Sequence, residues 1–209
     1  MNMSGAGLSI ENVHVWRGDR HVLKGVSLKL GARQLLHVAG PNGTGKTTLL
    51  RVACGLLRPE QGLVAWQGKP IASTRIEFQS SLAYASHEPA LKADLTALEN
   101  LRFTVGLKRR VTAQELRAAM HSTGVAECAD LPARVLSAGQ RRRVAMARVL
   151  AMNASLWLLD EPFTNLDAAG TELMSALLQS QVERGGSALV VAHHDLKLNV
   201  DMRRLELGP

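Results

Sequence analysis

Cysteine is scarce: Cys54 and Cys128 are the only two in 209 residues, and they lie far apart in the sequence. The spacing excludes a CxxC redox pair or a zinc ribbon and reads as two small buried side chains in a reducing compartment. Aromatic residues make up 3% of the chain, which argues against a surface that stacks single-stranded bases. No apolar run approaches the roughly 18 residues that span a bilayer, so the chain is expected to be soluble. The first residues show no charged segment followed by an apolar stretch and a small-residue cleavage site, so no cleaved leader is expected. Internal repeats, low-complexity tracts and long linkers are also missing, which leaves one folded unit.

The composition is that of an ordinary globular domain, 46% hydrophobic and 21% charged, long enough for one substantial core. A net charge of +7 suits either nucleic acid or an anionic membrane surface, and charge alone does not choose between them. The densest basic runs, Lys108-Arg109-Arg110 and Arg141-Arg142-Arg143, read as solvated faces.

Alternating segments Leu8–Trp16 and Val22–Leu30, separated by Arg17-Gly18-Asp19-Arg20, predict antiparallel strands. Leu35–Ala39 reads as a buried strand, followed by a loop over 40–45 and a helix over Lys46–Leu57 stopped by Pro59. A second strand pair is expected at Gly62–Trp66 and Ser81–Ala85, with Lys69-Pro70 marking the turn. From Leu95 to about Met152 the signals are helical, including a capping box at Thr112–Glu115 and Gly124 placed to end that helix. Strand and helix then alternate: Leu156–Leu159, Ala168–Arg184 closed by Gly185-Gly186, and Ala188–Val191. The alternation predicts right-handed crossovers and an α/β fold with a mainly parallel sheet core, an N-terminal antiparallel β-region and an inserted helical lobe. Residues 1–86 and 153–209 are assigned to the β-region and core, and 87–152 to the lobe.

Gly40-Pro41-Asn42-Gly43-Thr44-Gly45-Lys46-Thr47, followed by Thr48, satisfies G-x-x-x-x-G-K-[ST] between a strand and a helix. The glycines let backbone N–H groups turn toward phosphates, the helix start aims its dipole at the same anions, Lys46 adds a point charge, and the Thr47 hydroxyl is a Mg²⁺ ligand candidate. Leu156–Asp160 is an apolar strand ending in Asp160 and Glu161. Strand alternation sends these two carboxylates to different sides, so that Asp160 can hold Mg²⁺, directly or through water, and Glu161 can orient and deprotonate the attacking water, which points to an ATP hydrolase. Leu136-Ser137-Ala138-Gly139-Gln140 is a further small-residue loop opening a helix, with Ser137 placed as an N-cap; it is either a second anion site or an ordinary helix start.

Taken in order, Gly40–Thr47, Leu136–Gln140 and Leu156–Pro162 resemble the Walker A, signature and Walker B motifs of ABC transporter ATPases, over nearly the whole chain. The resemblance implies that Trp16 stacks on adenine, that Asn165-Leu166-Asp167 is the D-loop, and that His194 contacts the γ-phosphate as the switch histidine. It also implies a head-to-tail homodimer, in which ATP on one P-loop meets Ser137 and Gly139, with Ala138 and Gln140, of the other copy.

Within that family, Leu82–Phe103 (LAYASHEPALKADLTALENLRF), Leu136–Arg148 (LSAGQRRRVAMAR) and Leu156–Asp167 (LWLLDEPFTNLD) are similar to the ATP-binding subunits of cytochrome c maturation, or haem exporter, systems. This implies integral membrane partners of the same maturation system, a place on the cytoplasmic face of the bacterial inner membrane, ATP and Mg²⁺ as cofactors, and no nucleic acid partner. The alternatives are the ATPase subunit of another ABC exporter or importer and, less favoured, a soluble ABC-type ATPase acting on nucleic acid, a class that usually carries long insertions for which this chain has no room. Two positions depart from the general pattern. Ala138 replaces a signature glycine, which a small residue tolerates where φ is negative. His87, with Glu88 beside it, occupies the place of the Q-loop glutamine. The remaining histidines, His14, His21, His37, His121 and His193, read as solvated or structural.

Overall fold

A computed structural model describes residues 7–193, 195, 196 and 198–208. In chain order its strands and helices are β1 (Gly7–Arg17), β2 (Arg20–Gly31), β3 (Leu35–Ala39), α1 (Lys46–Ala53), β4 (Gln61–Trp66), β5 (Lys69–Pro70), α2 (Arg75–Ser81), β6 (Leu82–Ala85), α3 (Ala97–Gly106), α4 (Ala113–Ser122), α5 (Ala138–Ala151), β7 (Leu156–Asp160), α6 (Ala168–Glu183), β8 (Ser187–Val191) and β9 (Met202–Glu206). Two sheets result. One is antiparallel with order β2-β1-β4-β5; the other has order β6-β7-β8-β3-β9, every neighbouring pair parallel.

The inner parallel strands β3, β7 and β8 are buried at every position and mostly apolar, because both of their faces are covered. Along β7, Leu156 and Leu158 join the core shared with β1, β2 and α1, whereas Trp157 and Leu159 point the other way into a core with Met146 of α5 and Met174 and Leu178 of α6. A third apolar cluster belongs to the helices between β6 and β7, where Leu101 of α3, Leu116 and Met120 of α4, and Val144 of α5 are fully buried. Capping boxes at Thr96/Glu99 and Thr112/Glu115 open α3 and α4, satisfying N–H groups that a helix start leaves without partners. The Gly124 amide bonds the His121 carbonyl where α4 ends.

Several expectations change. The segments 62–66 and 81–85 do not pair: β4 lies antiparallel to β1 in the first sheet, and β6 lies parallel to β7 in the second. Lys69-Pro70 is the return strand of a hairpin rather than its turn, and α2 separates the two segments. Helix α1 stops at Ala53 instead of Leu57, because the amides of Leu56 and Leu57 both turn back to the Arg51 carbonyl. Sequence pattern gave no sign of β9, a half-exposed edge strand beside β3 rich in arginine. Both cysteines are buried and free, in different clusters, and burial pushes the Cys54 thiol up to about 11, so it stays protonated at neutral pH.

Leu101 is fully buried in the helical cluster, so Leu101→Ala is expected to cost about 3 kcal/mol of stability. Urea unfolding followed by circular dichroism checks this; a midpoint indistinguishable from the parent's would show that the helical cluster is not a cooperative part of the core.

Candidate functional site

Because β3, β6, β7 and β8 run parallel, their carboxyl ends share one edge of the sheet, and the segments that follow them meet there. The Gly-rich loop follows β3, Ser86-His87 follows β6, Glu161 follows β7, and Ala192-His193 follows β8. Together they line a cavity of about 540 Å³ that includes Asn42, Gly43, Gly45, Lys46, Thr47, Thr48, His87, Asp160, Glu161, Val191 and His193, with Arg17, Arg20 and Val22 of the antiparallel sheet on the remaining side.

The loop is held by its own contacts. Gly45 sits at φ 99 as the residue before α1, and a β-carbon there would come within 2.9 Å of Leu23 and Val22 side-chain carbons. Only glycine combines that left-handed turn with so close an approach, and the turn exposes the first free amides of α1 to the cavity. Lys46 is buried, and its Nζ donates to the carbonyls of Gly40 (2.7 Å) and Pro41 (2.9 Å). The Thr44 hydroxyl donates to Pro41 (3.0 Å), and Arg20 Nη2 ties the antiparallel sheet to the Gly43 carbonyl (2.7 Å). Gly40, Pro41 and Thr44 thus shape the loop without lining the cavity.

Asp160 closes β7 and is 2% exposed; its Oδ2 has no hydrogen-bond partner among the described residues. A buried carboxylate oxygen left unpaired is costly unless it meets a cation. With the Thr47 hydroxyl on the same cavity, the donor set is hard oxygen and small in number, which fits Mg²⁺, an ion that usually takes most of its ligands from phosphates and water. Glu161 does not continue the strand. It adopts φ 52, rare for a residue with a side chain, and its amide donates to Val191 (2.9 Å). Both carboxylates therefore face the same cavity, so the expected split to opposite sides is corrected: alternation ends at Asp160, and the left-handed turn sets where Glu161 points. Glu161 Oε1 lies 3.2 Å from His193 Nε2 without hydrogen-bond alignment.

His193, expected as solvated or structural, lines the cavity beside Glu161. His14 and His21 sit together: the Trp16 ring stacks on His21 with centroids 4.0 Å apart and planes 5° apart, and His14 Nδ1 lies 3.0 Å from His21 Nε2. Trp16 stands beside Arg17, which does line the cavity. His37 is buried against the Ala192 carbonyl. His194 lies outside the described residues. His87 reaches the cavity, whereas Glu88 is exposed beside it.

Ser137–Gln140 form a separate patch. Ser137 caps α5, with Gln140 completing a capping box, and Ala138 is the first helical residue, with negative φ. A β-carbon on Gly139 would lie 2.8 Å from the Asn165 carbonyl, so the signature loop and the 165–167 turn are in close contact. Asp167 caps α6 through the Gly170 amide (2.8 Å) and pairs with Arg143 (2.7 Å); the amide bond first, and then Arg143, hold its carboxyl below the usual range.

Residues 23–164 match the family model described as ABC transporter, and the chain belongs to that family. A dimeric bacterial ABC transporter cassette of known structure is 25% identical, the match covering 95% of this chain and 94% of that one with a TM-score of 0.83. A post-hydrolysis dimer of an ATP-binding cassette with ADP and phosphate, also 25% identical, covers 90% and 88% with a TM-score of 0.79. The fold and the cavity are thus those of an ATP-binding cassette. More particularly, the chain is 45% identical over 208 residues to the cytochrome c biogenesis ATP-binding export protein CcmA of Methylococcus capsulatus, covering 99% of this chain and 100% of that protein.

Gly45→Ala is expected to weaken nucleotide binding at least about 10-fold and to cost roughly 1–3 kcal/mol of stability, since the added methyl meets both strain and contact. Titration with a fluorescent ATP analogue and thermal unfolding measure the two effects; parent-like affinity would show that the loop does not depend on this turn.

Proposed function

We propose that this chain is the ATP-hydrolysing subunit of an ABC transporter complex serving cytochrome c biogenesis, docked on integral membrane subunits at the cytoplasmic face of the bacterial inner membrane. The end-to-end 45% identity to CcmA carries this reading, and the cavity gives it a chemistry. Among the described residues no helix is long and apolar enough to cross a membrane, so attachment falls to protein contacts.

In this reading Lys46 exchanges its bonds to Gly40 and Pro41 for the phosphates of ATP, and the amides of Gly43, Gly45, Lys46, Thr47 and Thr48 bear on the same oxygens. Thr47 and Asp160 would hold Mg²⁺, which would supply positive charge against the phosphates. Glu161 accepts the proton of the attacking water, and its fixed backbone turn sets the carboxylate's direction before substrate arrives. Trp16, backed by His21, offers its ring to adenine. Ser137, Ala138, Gly139 and Gln140 face the nucleotide of a second copy in an ATP-closed homodimer, with Asp167 at that interface and His194 as a further γ-phosphate contact. The helices of 87–152 act as a lobe carrying the signature.

A second cavity, about 300 Å³, lies between this lobe and the core and is lined by Leu56, Tyr84, Ser86, Ala90, Thr104, Lys108 and Met152, among others. Leu56 is 66% exposed there, an apolar residue suited to a membrane subunit's cytoplasmic segment.

Glu161→Gln should bind ATP within about 3-fold of the parent yet lose turnover by about 100-fold or more, trapping the homodimer. Phosphate release, nucleotide titration and gel filtration with ATP check the three parts, and parent-like turnover would remove Glu161 from the role of base. A tagged form of this variant, purified with ATP from gently solubilised membranes, is expected to bring down cytochrome c maturation subunits. Recovery of an unrelated permease would keep the motor and discard the pathway.

A further inference from the structure

The three consecutive arginines of α5, expected as a solvated face, go three separate ways. Arg141 Nη1 donates to the Leu136 carbonyl (2.6 Å), Arg143 pairs with Asp167, and Arg142 is 2% exposed, turned into the protein. Its Nη1 donates to the Ser86 carbonyl (3.0 Å) and its Nη2 to the His87 carbonyl. Successive carbonyls of an extended chain point opposite ways, so one guanidinium can hold both only where the backbone bends, as it does at His87. The rigid two-pronged guanidinium suits that geometry; a lysine ammonium does not reproduce it.

The clamped peptide is the shared wall of two cavities. Ser86 lines the groove between lobe and core, and His87 lines the nucleotide cavity with Lys46, Asp160 and Glu161. Burial draws the Arg142 pKa below its ordinary value, while the charges of Asp160 and Glu161 act in the opposite direction, so its charge is felt at the catalytic carboxylates.

We propose that Arg142 is a positioning residue for ATP hydrolysis: through its two carbonyl bonds it fixes the Ser86-His87 peptide, and so the place of His87 in the cavity, relative to the signature helix. The inference rests on the reading of this site as an ATPase. It makes α5 and the His87 segment move as one piece, so that a shift of the signature helix repositions a group on the nucleotide.

The test uses the complex purified with its membrane subunits, comparing parent, His87→Ala, Arg142→Lys and the double variant by steady-state ATPase and by titration with a fluorescent ATP analogue. His87 is exposed, so His87→Ala leaves the fold intact; Arg142→Lys keeps a buried charge and removes the fork. Each single variant is expected to lower kcat about 10-fold or more with KM and nucleotide affinity within about 3-fold, and the double variant to be no worse than about 2-fold below the weaker single. Unchanged kcat in His87→Ala, a loss confined to KM, or multiplied losses in the double variant would each overturn the inference while leaving the ATPase reading in place. A parent complex without turnover would overturn the ATPase reading and this inference with it.

Discussion

Everything at the site depends on parallel pairing in the second sheet. Each of β3, β6, β7 and β8 is mostly apolar and largely buried, and each leads at the same edge into a segment that carries a polar group of the site. Reversing β7 alone would move Asp160 by the length of the strand, about 16 Å, and leave the Gly-rich loop without its carboxylates. Residues separated by more than a hundred positions in sequence therefore meet because hydrophobic burial fixes strand direction, not because they attract one another.

That arrangement tolerates local costs. Glu161 holds a left-handed backbone, Asp160 carries a buried oxygen with no hydrogen-bond partner among the described residues, and Arg142 takes a charge out of water to bond neutral carbonyls. Each lowers stability by itself, and all three stand within or against the one cavity. Local costs concentrated at one cavity are the pattern expected of a site over-determined by its surroundings.

The sequence made the strand-loop-helix around Lys46, the buried run before Asp160 and the capping box at Thr112 legible, since each rests on local chemistry: backbone freedom, uninterrupted apolarity, a side chain satisfying its neighbour's amide. It could not tell that 62–66 and 81–85 belong to different sheets, because strand pairing is non-local and both segments look alike. The edge strand at Met202–Glu206 was hidden because one arginine-rich segment resembles another whether or not it pairs with β3. The same blindness put Arg142 on the surface: composition marks a basic run as wet, and only tertiary packing showed that a single turn of helix directs three guanidinium groups inward, sideways and back along the chain. His193 was overlooked for a related reason, since its relation to Glu161 exists only after β7 and β8 are paired.

The two carbonyls that hold the Lys46 ammonium act as an internal competitor. An incoming anion must outbid two well-placed neutral acceptors before it gains the lysine, which favours a ligand that brings several charged oxygens at once and disfavours a singly charged one. A polyphosphate chain, able to engage the amides of α1 while the lysine changes partners, therefore gains more from this loop than an anion that can reach the lysine alone.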